Sequence, residues 1–184
     1  SSLPSTQKIK RMIRNNIIGK PIKGYLWYSK GIFNTGSHFI DLFRTFFGEV
    51  IEIRILKKNQ IKGFDVNPDL YLKFIDAEIY FIASNTDQFF YNQIELFGQK
   101  GKLVYKNGGA EIFWHEIKKD KLFHRNKIIS NKPKNFETDF KNIQSYVVSE
   151  LFKGLCGRKS NLVSVEESLP THLILEKIIC SYER

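Results

Sequence analysis

The spacing of apolar positions divides the chain into a series of helices and strands. Ile9, Met12 and Ile13 fall at helical intervals within residues 5–16, and Gly19 with Pro21 ends that pattern. Residues 22–29 alternate, with Tyr25 and Trp27 on one side, which predicts a strand. At about 100° per residue, a helix over residues 35–47 gathers Phe39, Phe43, Phe46 and Phe47 on one arc and leaves Asn34, His38 and Asp41 clustered beside it. Residues 50–56 alternate apolar with charged, as a strand does when one face is buried and the other wet.

A loop over 57–67 leads to short strands at about 70–75, 77–83, 88–97, 102–105 and 111–117, a series that predicts an antiparallel meander. Phe89, Phe90 and Tyr91, followed by Ile94, Leu96 and Phe97, put apolar groups on both sides of the sheet, so one face is expected to meet a second subunit. Phe136, Phe140, Ile143, Val147 and Leu151 then recur at helical spacing, predicting an amphipathic packing helix over 135–153. Ser164 and Glu167 form a capping box for a last helix, in which Pro170 predicts a kink or restart. The expected class is α+β: a mostly antiparallel, open-faced sheet with helices packed on one face and the other face available for oligomerisation.

The 184 residues suit a single domain, 1–184, able to bury about 70% of its unfolded-state surface. A hydrophobic content of 42% excludes general disorder, and no run of about 18 apolar residues offers a membrane span. Lys8, Lys10, Arg11 and Arg14 interrupt any signal-peptide core, so a cytoplasmic location is expected. Cys156 and Cys180 are too isolated for a disulfide framework, and no metal-ligand spacing occurs, so no metal is expected. The formal charge of +10 raises nucleic-acid binding, but the basic residues are scattered. The densest stretch, from Lys118 to Lys134, reads as a solvated loop, which argues against a nucleic-acid partner.

The candidate chemistry sits at His38, one turn from Asn34. A histidine at a helix edge serves either as a packing group or as a proton carrier near neutral pH, and spacing alone favours the first. Asp41 is the nearest carboxylate in sequence. Tyr28, Lys30 and Thr35 border the same loop and are candidate substrate ligands, with ordinary strand-end polarity as the plain alternative. His115, His124 and His172 lack any partner pattern, and Trp27 and Trp114 read as core.

The segment Gly31-Ile-Phe-Asn34-Thr-Gly36-Ser-His38-Phe-Ile-Asp41-Leu-Phe-Arg44, together with the lead-in from Lys8 to Ile22, the strand and turn Asn92-Gln-Ile-Glu-Leu-Phe-Gly98-Gln-Lys-Gly101, and the closing stretch from Ser164 to Ser181, resembles the glucose-fructose oxidoreductase, inositol dehydrogenase and rhizopine-catabolism (Gfo/Idh/MocA) family. That resemblance implies the C-terminal, substrate-binding and oligomerisation domain of an NAD(P)-dependent oxidoreductase acting on a sugar or nucleotide-sugar alcohol or ketone. It implies His38 as the general acid/base, and Asn34 where many relatives carry aspartate, an amide that cannot hold a proton. It also implies that NAD or NADP binds an N-terminal Rossmann domain. No Gly-x-Gly-x-x-Gly run or Glu-Lys-Pro motif occurs here, so no cofactor is expected on this chain alone. The implied partners are that domain, a sugar-like substrate and further copies in a homo-dimer or homo-tetramer. A non-catalytic scaffold derived from the family is the alternative.

Overall fold

The first strand of the chain lies in the middle of its sheet. In a computed structural model, which describes residues 3–59, 65–84 and 88–182, β1 (Ile22–Tyr28) pairs in parallel with β4 (Ala77–Ala83) and antiparallel with β5 (Asn92–Gly98). On one side β4 continues to β3 (Asp69–Lys73) and β2 (Glu52–Lys57), and on the other β5 continues to β6 (Gly101–Lys106) and β7 (Glu111–Lys119). Short strands β8 (Lys127–Ile129) and β9 (Lys134–Phe136) both pair with β7. Among the described residues the sheet is antiparallel apart from the β1–β4 pair. The expected α+β class and mostly antiparallel sheet are therefore observed, but a simple meander is not. The 57–67 loop and the start of the apolar 87–97 segment lie partly outside the described residues.

Alternation along each strand gives the sheet two distinct faces. Ile22, Leu26, Leu70, Leu72, Ile79, Phe81, Ile94, Leu96 and Leu103 form the inner one and are almost fully buried. Three helices lie on it: α1 (Pro4–Arg14) through Ile9, Met12 and Ile13; α2 (Ser37–Phe47) through Phe39, Ile40, Phe43, Phe46 and Phe47; and α4 (Val165–Cys180) through Ile174, Leu175 and Ile178. Ring contacts lock α2 to the sheet, with Phe43 edge-on to Phe81 and Phe47 tilted against Phe74, each 5.6 Å between centroids. Among the described residues the outer face carries no helix. Register places Arg54, Tyr71, Tyr80, Tyr25 and Glu95 in one row across five strands. Trp27, expected in the core, lies on this outer face at 38% exposure, whereas Trp114 is buried.

Two helices depart from their expected form. The 135–153 helix is replaced by β9, a 3-10 turn (Phe140–Asn142) and a shorter α3 (Ile143–Leu155). Val147 and Leu151, expected to pack, are exposed. α4 runs unbroken through Pro170. Proline withdraws a donor from that turn. The Arg44 guanidinium lies alongside, giving a hydrogen bond to the Glu167 carbonyl at 3.2 Å and one to Thr171 Oγ1 at 2.9 Å. Among the described residues no helix is long and apolar enough to cross a membrane.

Candidate functional site

Between β1 and α2 the chain makes a π-helical turn, Ile32–Gly36. Two glycines five residues apart allow it: Gly36 N–H donates to the Gly31 carbonyl at 3.1 Å, the i to i+5 closure of such a turn. The start of the turn is held from outside. Asp65, on the connection between β2 and β3, accepts the N–H of Phe33 at 3.0 Å and of Asn34 at 3.1 Å. Gly31 is required for this approach, since its φ is +87° and a Cβ there would lie 1.9 Å from Asp65 Oδ2. The expected 35–47 helix thus begins as a π turn, and its signal in the sequence was the Gly31/Gly36 spacing.

This turn and α2 present Asn34, Thr35, His38 and Asp41 to a cleft of about 590 Å³. Phe90 lines it from just before β5 and Asn92 from the first residue of β5, Tyr105 from the end of β6, Gly108 from the β6–β7 connection, Ile143 from the start of α3 and Val163 from just before α4. His38 and Asn34 are exposed and Thr35 is buried. The His38 ring makes no hydrogen bond to another described residue and faces a space that a ligand can enter. Its helix is buried along the opposite arc, so the backbone carrying the imidazole is fixed while the ring stays accessible.

Asp41 lies on the same cleft, but its carboxylate meets Arg44 Nη1 at 3.4 Å and receives a hydrogen bond from Thr171 Oγ1 at 3.4 Å. It therefore belongs to a polar bridge between α2 and α4. Tyr28 requires a correction: it is wholly buried, its hydroxyl donates to the Pro68 carbonyl at 2.6 Å, and burial raises its pKa far above the ordinary phenol value. Strand alternation put its ring on the helix side of β1, where it packs edge-on against Phe81 and is not among the residues lining the cleft. Lys30 is half-buried at a positive φ of 67° and is not among the residues lining the cleft.

Asn92 and Tyr105 escaped sequence reasoning. Asn92 is 2% exposed, and its side-chain oxygen accepts the Gly108 N–H. The Tyr105 hydroxyl donates to the Gly108 carbonyl at 2.7 Å. Burial, reinforced by Asp139, pushes the Tyr105 pKa up to about 12, so the ring stays a neutral donor. Asn92 and Tyr105 thereby fix the turn Asn107–Gly109 as a wall of the cleft. The Asn107-Gly108-Gly109 run was the signal for that turn. Among the described residues no cluster of histidine, cysteine, aspartate or glutamate offers a metal site.

The strand-to-helix turn where a pyrophosphate would approach backbone N–H groups is already capped by the Asp65 carboxylate, an anion of the same sign. No family model and no curated protein matches the sequence. Solved structures do. A protein of Desulfitobacterium hafniense described as an NADPH-dependent oxidoreductase matches 98% of this chain and 60% of its own, at TM-score 0.73 and 17% identity. An oxidoreductase of Agrobacterium radiobacter, solved with NAD+, L-tartaric acid and magnesium, matches 95% of this chain and 58% of its own, at TM-score 0.57 and 19% identity. A levoglucosan dehydrogenase, solved with NADH and L-sorbose, matches 97% of this chain and 60% of its own, at TM-score 0.67 and 12% identity. This chain therefore spans about 60% of the length of such proteins, and over that part its fold is that of the Gfo/Idh/MocA-type oxidoreductases.

Proposed function

We propose that this chain is the C-terminal, substrate-binding domain of a cytoplasmic NAD(P)-dependent oxidoreductase, with His38 as the proton carrier for a sugar-like alcohol or ketone. The observation that carries the reading is the pairing of His38 and Asn34 on a rigidly held turn at the mouth of an open cleft. An imidazole that makes no hydrogen bond to another described residue is available to exchange a proton with a substrate hydroxyl. The Asn34 amide, which both donates and accepts, suits a hydroxyl beside the reacting carbon. Thr35, Asn92 and Tyr105 supply further neutral polar atoms, and Phe90 an apolar ring, a lining suited to an uncharged polyol. A nicotinamide held by a separate Rossmann domain supplies the hydride acceptor.

The outer sheet face supports homo-oligomerisation. Its row of Tyr71, Tyr80 and Tyr25, flanked by Arg54 and Glu95, is the aromatic surface with charged margins that protein interfaces favour. One observation favours the non-catalytic scaffold as a second reading: Asn34 carries no charge, and Asp41, the carboxylate among the described residues lining the cleft, is engaged by Arg44 and Thr171 rather than held for an imidazolium. The test is turnover of the parent protein on a panel of sugars and polyols with NAD and NADP, beside its His38→Ala variant. A loss of a hundredfold or more in kcat is expected. A variant as active as its parent would make the scaffold reading the correct one.

A further inference from the structure

The hairpin of β7 and β8 overhangs the sheet. β6 begins at Gly101, opposite Glu116, so from Lys118 onward β8 is the only strand paired with β7 among the described residues. The turn over residues 120–126 is closed by its own backbone: the Asp120 N–H donates to the Asn126 carbonyl at 3.0 Å, and the Asn126 N–H to the Phe123 carbonyl at 2.8 Å. The Asp120 carboxylate folds back over it, accepting the N–H of Leu122 at 2.8 Å and of Phe123 at 3.3 Å. The turn thus has a defined shape, and it carries two adjacent apolar side chains outward, Leu122 at 84% and Phe123 at 65% exposure. A single apolar side chain on a surface needs no explanation, whereas a pair held out by a hydrogen-bonded turn points to something that covers it.

The charge around that pair is one-sided. Lys119, Lys121, Arg125 and Lys127 flank it, and none of the four makes a hydrogen bond or ion pair with another described residue. The acidic residue among them, Asp120, has its carboxylate engaged by the turn. We propose that this hairpin tip docks on an anionic lipid surface, with Leu122 and Phe123 entering the boundary between headgroups and acyl chains and the flanking cations meeting the headgroups. An apolar wedge ringed by lysine and arginine matches such a surface in both respects, since a small wedge alone binds weakly and a basic ring supplies the second signal. Charge argues against a second copy of this chain, because tip on tip would bring the two basic rims together. Size argues against a folded protein partner, which needs about 800 Å² of surface on each side, more than two side chains on one turn provide. A nucleic acid would meet the charge, but Leu122, the more exposed of the pair, has no ring to stack on a base. The proposal is independent of the chemistry at His38: it concerns where the protein works.

The experiment is sedimentation of the parent protein with vesicles of phosphatidylcholine alone and of about three parts phosphatidylcholine to one of phosphatidylserine. The expected result is binding to the anionic vesicles at least about tenfold stronger than to the neutral ones, weakened by added salt. Replacing the pair, Leu122→Ser with Phe123→Ser, should cut that binding at least about tenfold and leaves the core untouched, since both positions are exposed. Phe123→Trp gives a second readout: its emission should move to shorter wavelength on anionic vesicles and be quenched by brominated acyl chains. Failure to bind anionic vesicles overturns the proposal, as does binding that the double variant leaves unchanged or a Phe123→Trp emission that vesicles do not alter. A single-stranded oligonucleotide bound in place of vesicles, and lost with the double variant, assigns the tip to a nucleic acid and overturns it. Self-association that the double variant abolishes, without vesicle binding, assigns the tip to a second copy and overturns it too.

Discussion

The carboxylate of Asp65 receives the backbone N–H of Asn34 at 3.1 Å, and with it that of Phe33 at 3.0 Å, although 31 residues separate Asp65 from Asn34. It works as a helix cap supplied from a distant loop. Asp65→Ala should cost about 1–2 kcal/mol, and Asp65→Asn less, because an amide oxygen still accepts. Gly31→Ala should cost at least about 2 kcal/mol, since it adds a strained positive φ to the loss of the cap. Urea denaturation of the three variants checks the order, and a neutral Gly31→Ala would show that the clasp is dispensable.

His38 and Phe43 lie on one helix with opposite expectations. Phe43 is fully buried against Phe81 and Phe47, so Phe43→Ala should cost about 3–5 kcal/mol. His38 is exposed and makes no hydrogen bond to another described residue, so His38→Gln should change stability by no more than about 0.5 kcal/mol. Thermal denaturation of both variants tests this. A large loss at His38 would return the histidine to a packing role.

Glu150 supplies a pH dependence. The Lys153 ammonium first, and the Asn161 N–H second, hold its carboxyl below the ordinary glutamate value. A carboxyl lowered in the folded state stabilises above its unfolded value and loses that contribution as pH falls through the folded one. Wild type should therefore lose stability relative to Glu150→Gln on acidification from pH 6 to pH 3, read as the difference in denaturation midpoint. A difference that does not move with pH would show that the pairing adds nothing.

Tyr105 acts at the alkaline end. Its pKa, raised from 10.0 to about 12 by burial, means that the folded chain keeps a proton the unfolded chain releases. Stability from this group is intact below pH 10 and is lost as pH rises toward 12. Absorbance at 295 nm should show Tyr105 titrating late together with Tyr25 and Tyr28, and Tyr105→Phe should shrink that late component by one phenol and cost about 1 kcal/mol of hydrogen bonding. A spectrum unchanged by the substitution would place the late phenols elsewhere.

Much of this arrangement was legible in the residues. The arc of Phe39, Phe43, Phe46 and Phe47 identified the buried side of α2, and with it the wet side that carries His38. Alternation from Ile22 onward located β1, though not its place in the sheet, because pairing with β4 and β5 depends on contacts distant in sequence. Tyr28 shares its face with the cleft-lining Asn92 yet is wholly buried, bonded to the Pro68 carbonyl, a contact 40 residues away that alternation does not reveal. Helix α3 misled most, since spacing reports which residues share a side and is silent on whether that side meets the body of its own chain.

The central position of β1 sets the order in which the molecule can be completed. Ile22 pairs with Ala77 and Lys23 with Phe97, so the first strand of this sheet to leave the ribosome waits, unpartnered along both edges, until β4 and β5 have been synthesised. During that interval Leu26, Trp27 and Tyr28 are open to the wrong neighbours, and chaperone dependence during synthesis is the natural price of threading the oldest strand into the centre.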